Sequence, residues 1–306
     1  MDFWKMNGAG NDFLLLRDLD RAIPDALLPA LARRVCERRF CLGADGMMVI
    51  RPPEGDGDFK MLFFNSDGSE SEMCGNGARC VCRYGYETGL APRDKQRVET
   101  TAGLVAGYYV DGRQWRVRLN DPGVLELSRT VELDGMTFEC AYIELGAPGI
   151  PHAVLSAEGL RELSPEELRP IARGLRFHAA FPRGANINFC EITAPGRLFL
   201  RTYERGVEDF TYACGTGTGA AVLALYLQGR LPASADAEMR GGTLHVDVEA
   251  ENGCVRNLWL TGPTNVAAKG ELTDDAVAAL LQTKAVDCET IIQDEIQYPE
   301  GNSIRF

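Results

Sequence analysis

Histidine is scarce in this chain, with only His152, His178 and His245 among 306 residues. Cysteine is not scarce, at ten residues, yet the chain lacks the two Cys-x-x-Cys clusters that a structural zinc site would want. The one close pair, Cys80-Val81-Cys82, points its side chains about 200° apart on a helix, so no metal ligand set is assigned. The cysteine spacing does not give a disulfide framework either, because a chain of this size can bury its own core. Cys36, Cys41, Cys140, Cys190, Cys254 and Cys288 read as small buried hydrophobes. Basic residues are outnumbered, 32 Lys and Arg against 44 Asp and Glu, for a net charge of −12. A nucleic-acid partner needs a concentrated basic face and is not expected. Any anionic ligand must be held by local dipoles, because the overall field repels it. Long apolar runs are missing too, so no membrane partner is expected. With no signal peptide ahead of the first motif, the expected location is cytoplasmic.

What the chain does have is one short phrase written twice, Cys74-Gly75-Asn76-Gly77 and Cys214-Gly215-Thr216-Gly217. Each opens a segment that reads as a helix, from Ala78 to Tyr84 and from Ala220 to Tyr226. A helix start offers unpaired backbone N–H groups and the positive end of a dipole. Such an end binds a carboxylate and lowers the pKa of a nearby thiol. Two thiols, each beside an anion cradle, are suited to taking a proton from one face of a carbon and returning it to the other.

The surroundings of the two phrases are also alike. In the first half, Phe13 to Leu16, Met47 to Ile50 and Phe59 to Phe64 read as strands, and Asp25 to Arg38 has helical periodicity. After the first cysteine helix, Arg97 to Leu119 alternates around Asp111-Gly112, a hairpin turn. In the second half, Phe138 to Leu145, Asn186 to Ile192 and Arg197 to Glu204 read as strands. Ser164-Pro165-Glu166-Glu167 is a helix start with a capping box. After the second cysteine helix, Gly242 to Leu260 forms a hairpin turning near Asn252-Gly253. Two similar domains facing each other would place both helix starts across one cleft, where small ligands bind. A carboxylate held between the two positive ends relieves their repulsion. The expected division is a first domain of 1–119 with about 263–275, a second domain of 120–262, and an extension of 276–306. Thr273 to Gln282 reads as a short helix. The rest of the extension has no place in the repeat, and an edge strand, a dimer arm and a disordered end stay open.

Seven phrases occur together and in order: Met6-Asn7-Gly8-Ala9-Gly10-Asn11-Asp12-Phe13, Gly43-Ala44-Asp45-Gly46, Phe64-Asn65-Ser66-Asp67-Gly68-Ser69, Cys74-Gly75-Asn76-Gly77-Ala78-Arg79, Pro151-His152-Ala153-Val154, Tyr203-Glu204-Arg205-Gly206 and Ala213-Cys214-Gly215-Thr216-Gly217. As a set they resemble the diaminopimelate epimerase family over roughly the first 272 residues. The resemblance implies an α/β (α+β) fold of two pseudo-symmetric domains, each a curved sheet around a central helix. It implies an isomerase without pyridoxal, metal or other cofactor, working as a homodimer. The reaction it implies interconverts LL- and meso-diaminopimelate, an amino-acid substrate of lysine biosynthesis.

Residue by residue, the resemblance makes Cys74 and Cys214 the acid/base pair, with His152 and Glu204 assisting proton movement. Backbone around Gly75, Asn76, Gly215 and Thr216 would hold the α-carboxylate. Asn11, Asn65, Asn186, Glu204 and Arg205 match substrate contacts, and a Glu–Arg pair suits a zwitterion. Asp45 and Asp67 read as turn formers. Three positions depart from the family pattern: Ile150 stands where Asn precedes the Pro-His pair, Asn7 replaces a common His, and Phe210 replaces a common Glu. An apolar Ile150 cannot donate to a distal carboxylate. Alternatives of the same chemistry and of other kinds are therefore kept: a racemase of another amino acid such as histidine, an inactive amino-acid-binding relative, and a non-thiol isomerase of the same shape.

Overall fold

A computed structural model describes residues 1–71, 73–146, 149–251 and 254–282. The first half of the chain runs β1 (Asp2–Gly8), β2 (Asn11–Arg17), α1 (Leu28–Cys36), β3 (Gly46–Arg51), β4 (Phe59–Asn65), β5 (Glu70–Ser71), α2 (Gly75–Glu87), β6 (Gln96–Thr100), β7 (Gly103–Asp111) and β8 (Gln114–Leu119). After β9 (Pro122–Leu133), the second half repeats the order. It runs β10 (Met136–Gly146), β11 (Gly149–Ser156), α3 (Pro165–Arg176), β12 (Asn186–Ala194), β13 (Arg197–Glu204), β14 (Asp209–Phe210), α4 (Gly215–Leu227), β15 (Ser234–Met239), β16 (Gly242–Glu251) and β17 (Cys254–Pro263). The described chain closes with β18 (Asn265–Glu271) and α5 (Asp275–Gln282).

Pairing follows the same rule in both halves. β1 pairs antiparallel with β2, β2 parallel with β3, β3 antiparallel with β4, and β4 parallel with β6, which leads through β7 to β8. β10, β11, β12, β13, β15, β16 and β17 repeat that sequence of pairings. The halves join where β8 pairs antiparallel with β17, Leu119 opposite Leu258. The free flank of each half is covered by a strand from beyond the other: β18 pairs with β1, and β9 with β10. Each half thus gains its flanking strand from the segment that follows the other half in the chain.

The parallel strands β2 and β3 are buried on both faces, which is why they read as unbroken apolar runs. The curved sheet of each half wraps a central helix, α2 or α4, while α1 and α3 cover the outer faces. α4 is buried from Gly215 through Leu225 and carries no charge, as a helix apolar on all sides should be. α3 starts as its sequence demands: Ser164 Oγ accepts from Glu167 N while the Glu167 carboxylate accepts from Ser164 N. The single hairpin expected over 97–119 is instead three strands, with a second turn at Thr101-Ala102. α5 docks on α1, burying Val277, and Arg34 holds Asp274 at 2.7 Å. Asn252-Gly253, Cys288 and the tail from 283 onward lie outside the described residues. Cys254 is exposed, not buried, because it opens β17 opposite Glu251 at the outer end of a hairpin.

Candidate active site

Both cysteines are N-cap residues in extended conformation, Cys74 ahead of α2 and Cys214 ahead of α4. The two helix starts meet. A β-carbon placed on Gly215 would lie 3.4 Å from Gly75 Cα, 3.6 Å from Asn76 N and 2.8 Å from Leu260 Cδ2. The tightest contact of an added β-carbon at either glycine is with the Leu260 side chain of β17, which lies beneath the junction, 3.0 Å from one on Gly75. Asn76 Nδ2 crosses the seam and donates to the carbonyl of Ala213 at 3.0 Å. The four cradle residues Gly75, Asn76, Gly215 and Thr216 are all buried at this junction.

The thiols differ in their partners. Half-buried Cys74 donates to Asn11 Oδ1 at 3.5 Å, and Asn11 in turn donates to Asp45 at 2.7 Å. Asp45 therefore does more than shape a turn; Asp67, bonded to Ser69 N at 2.8 Å, is the turn former expected. Cys214 is buried, accepts from Gly217 N at 3.3 Å and lies 3.6 Å from Thr216 Oγ1. The sequence-based expectation that helix starts lower the thiol pKa values is overturned in net effect. Burial pushes Cys74 up to about 11, against a smaller downward pull from Gly77 N–H. Cys214 is also pushed up, by burial first and then by the Glu204 charge, with Thr216 and Gly217 pulling it down. Desolvation disfavours an anion more than two N–H groups favour it.

Glu204, at the end of β13, adds negative charge that raises both thiols. Its own carboxyl is pushed up to about 7 by burial, with Asp45 adding to the rise and Thr211 opposing it. His152 is completely buried on β11, and its pKa is pushed down to about 3 by burial and then by the Arg205 charge. The ring is therefore neutral at physiological pH. Its Nδ1 lies 3.3 Å from Asn188 Nδ2, and its buried Nε2 has no partner among the described residues. An amide donor at Nδ1 assigns the proton to Nε2. Asn186 is buried two residues away on the same strand face, and its Oδ1 accepts from Arg205 N at 2.7 Å. The Arg205 guanidinium donates to the Arg183 carbonyl at 3.2 Å. Asn65 caps its own turn through Ser69 Oγ at 3.0 Å.

Sequence reasoning missed Asn188 and Thr202. Asn188 is fully buried, donates to Ala153 O at 3.1 Å, and accepts from Thr202 Oγ1 at 2.9 Å. The period-two spacing from Asn186 puts both amides on one face of β12, and that was the available signal. Ile150 shares the β11 face of His152 and pairs with Leu145. Phe210 points elsewhere: it packs edge-on against Tyr203, 5.5 Å between ring centroids, on the side covered by α3. Asn7 lines an open surface cavity of about 310 Å³ with Arg113 and Asn265, in which neither cysteine takes part. No group of three or more His, Cys, Asp or Glu among the described residues is arranged to hold a metal, and no described helix is long and apolar enough to cross a membrane.

A family model described as diaminopimelate epimerase matches this chain over residues 3–122 and 147–266. The chain is 36% identical over 289 residues to the diaminopimelate epimerase of Aquifex aeolicus (strain VF5), covering 90% of this chain and 99% of that one. It is 35% identical to the enzyme of the same name from Moorella thermoacetica, covering 90% and 100%. Among solved structures, a probable proline racemase from Agrobacterium radiobacter K84 superposes with a TM-score of 0.69 at 17% identity, covering 94% of this chain and 96% of that one. A phenazine biosynthesis protein of the PhzF family from Bacillus anthracis reaches 0.65 at 12% identity, covering 89% and 99%. At those identities the two structures speak for the shared fold alone.

Proposed function

The chain belongs to the diaminopimelate epimerase family, and from that premise we propose that it interconverts LL- and meso-diaminopimelate by a two-thiol proton transfer at the α-carbon. The observation that carries this reading is the meeting of two cysteine-capped helix starts, Gly75 against Gly215. The α-carboxylate sits at that junction, where the N–H groups of Gly75-Asn76 and Gly215-Thr216 receive the charge that grows as the proton leaves. One cysteine acts as thiolate and takes the α-proton; the other, as thiol, gives a proton to the opposite face. The roles exchange with substrate configuration.

Both thiols rest protonated in the absence of substrate, so a proton has to leave one of them before reaction. Glu204, poised near 7, is the group matched to accept it. His152 stays neutral and presents Nε2–H as a donor. Asn11 and Asn65 from the first half, and Asn186 and Arg205 from the second, take the remaining polar groups of the substrate. The same reading divides the chain at 119/120 and 262/263, with 276–306 as an extension, and carries a homodimer in the cytoplasm.

The test is reduced protein in D₂O with LL-diaminopimelate, following the α-proton by NMR. Deuterium enters with the wild type and stops in Cys74→Ala/Cys214→Ala; exchange that survives the double substitution would end the thiol mechanism. Ile150 on the His152 face favours one second reading, a racemase of an amino acid without a distal carboxylate. Exchange with such an amino acid and none with diaminopimelate would establish it.

A further inference from the structure

Arg79 lies one turn inside α2 and is fully buried, yet no described carboxylate lies within ion-pair distance of it. Its fork turns back on the helix start. Nη2 donates to Asn76 Oδ1 at 2.8 Å, Nη1 donates to the Gly75 carbonyl at 3.2 Å, and Nε has no partner among the described residues. With its oxygen taken by Arg79, the Asn76 amide must turn its nitrogen toward Ala213 O, the carbonyl just ahead of Cys214. Glycines make room for this charge from two sides. A β-carbon on Gly262 would sit 3.1 Å from the guanidinium carbon, and one on Gly8 would sit 3.4 Å from Nη2. The equivalent position in α4, five residues after its cysteine, is Gly219, packed against Leu119 and Leu258. The charge therefore belongs to one half of a doubled site.

Burying a guanidinium without a carboxylate partner is costly, so its charge calls for a compensating role. We propose that Arg79 is a positioning residue whose buried charge, set behind the shared helix starts, favours the Cys74 thiolate and fixes Asn76 across the seam. The inference rests on the assignment of Cys74 as one of the two reacting thiols. Arg79 draws Cys74 down, while its own guanidinium is pushed down to about 10 by burial. The other titratable groups facing this pair are Glu204 from β13, Cys214 from α4, and Cys80 and Cys82 from α2 itself.

The experiment is the pH profile of iodoacetamide alkylation at Cys74, read by peptide mapping, in wild type, Arg79→Gln and Arg79→Lys, with folding checked by circular dichroism. Removing the charge in Arg79→Gln raises the Cys74 midpoint by about one unit, a tenfold slower alkylation below it; Arg79→Lys stays near the wild type. An unmoved midpoint in Arg79→Gln overturns the proposal, as does a shift in Arg79→Lys as large as that in Arg79→Gln. If Arg79→Gln does not fold, Arg79→Met replaces it. Turnover by Cys74→Ala would sink the two-thiol reading instead, and would leave the alkylation result standing.

Discussion

α2 and α4 begin with the same four-residue phrase, and they make different ends from it. α4 is uncharged and buried to Leu225, and its cysteine is held within its own first turn by Gly217 N and Thr216. α2 carries Arg79 inside and an Arg83–Glu87 pair outside, and its half-buried cysteine reaches to Asn11 on β2. Burial is the first cause raising both thiols; at Cys214 the Glu204 charge comes next, whereas at Cys74 the opposing Gly77 N–H comes ahead of Glu204. A duplicated motif thus gives two geometrically matched groups whose acidities are set apart by what each half packs around them. Under the two-thiol reading the roles exchange with substrate configuration, so each thiol must serve in turn as base and as acid, and its surroundings set how readily it ionises.

The largest effect that would break this comparison comes from the cysteines themselves. Cys74→Ala and Cys214→Ala should each lower interconversion by about a thousandfold or more, since each removes an acid/base group from every turnover. The two variants should still differ. Each retains one thiol facing one side of the substrate, so Cys214→Ala should exchange the α-proton of one isomer with D₂O without inversion, and Cys74→Ala that of the other. NMR of each isomer separately reads this, and identical exchange patterns in the two variants would mean that the thiols do not face opposite sides.

Glu204 sharpens the comparison next. Its folded-state pKa of about 7 lies above the ordinary 4.5. Between those values the folded protein keeps a proton that the unfolded chain has released, so its contribution to stability is present below pH 4.5 and is lost as pH rises through 7. Glu204→Gln removes that loss and should be more stable than the wild type above pH 7 by up to about 3 kcal/mol, with no gain below pH 4.5. Denaturant melts at pH 4 and pH 8 measure it. The same substitution should bring Cys214 down more than Cys74 in an alkylation profile, and should slow turnover. His152 has the opposite sign: buried neutral, it contributes stability above pH 6.5 that is lost as pH falls through about 3.

The chemistry was legible in the sequence because its determinants are local. A glycine run after a cysteine fixes a helix start wherever the helix lies, and Ser164 with Glu167 fixes a cap whatever α3 packs on. β9 and β18 were not legible, because each covers the flank of the opposite half, with half of β9 and most of β18 exposed. Asn188 and Thr202 looked like ordinary strand residues; they matter only because α4, drawn from further along the chain, brings Gly217 against them. The thiol pKa values were misjudged for the same reason: the N–H groups are local, while the depth of burial is set by the whole sheet wrapped around them.

The smallest effect tests the equivalence of the two helix starts at one matched position. Gly77 and Gly217 are both the third residue of their helices, and a β-carbon at either meets an atom too closely. At Gly77 that atom is Met48 Cε, 1.8 Å away, the end of a flexible side chain. At Gly217 it is Asn188 Oδ1, 2.4 Å away, with Thr202 Oγ1 at 3.1 Å and Cys214 Sγ at 3.2 Å. A methionine can move aside within a core, and replacing glycine by alanine in a helix returns up to about 1 kcal/mol. Gly77→Ala should therefore change stability by no more than about 1 kcal/mol. Gly217→Ala has to displace an amide held by Thr202 and by the Ala153 carbonyl, and should cost about 2 kcal/mol through buried polar groups left unpaired. It should also lower turnover, because the same amide holds His152. Equal melting temperatures for the two variants would show that Asn188 yields as readily as Met48, and that the polar network on the Cys214 side is not the rigid half of the site.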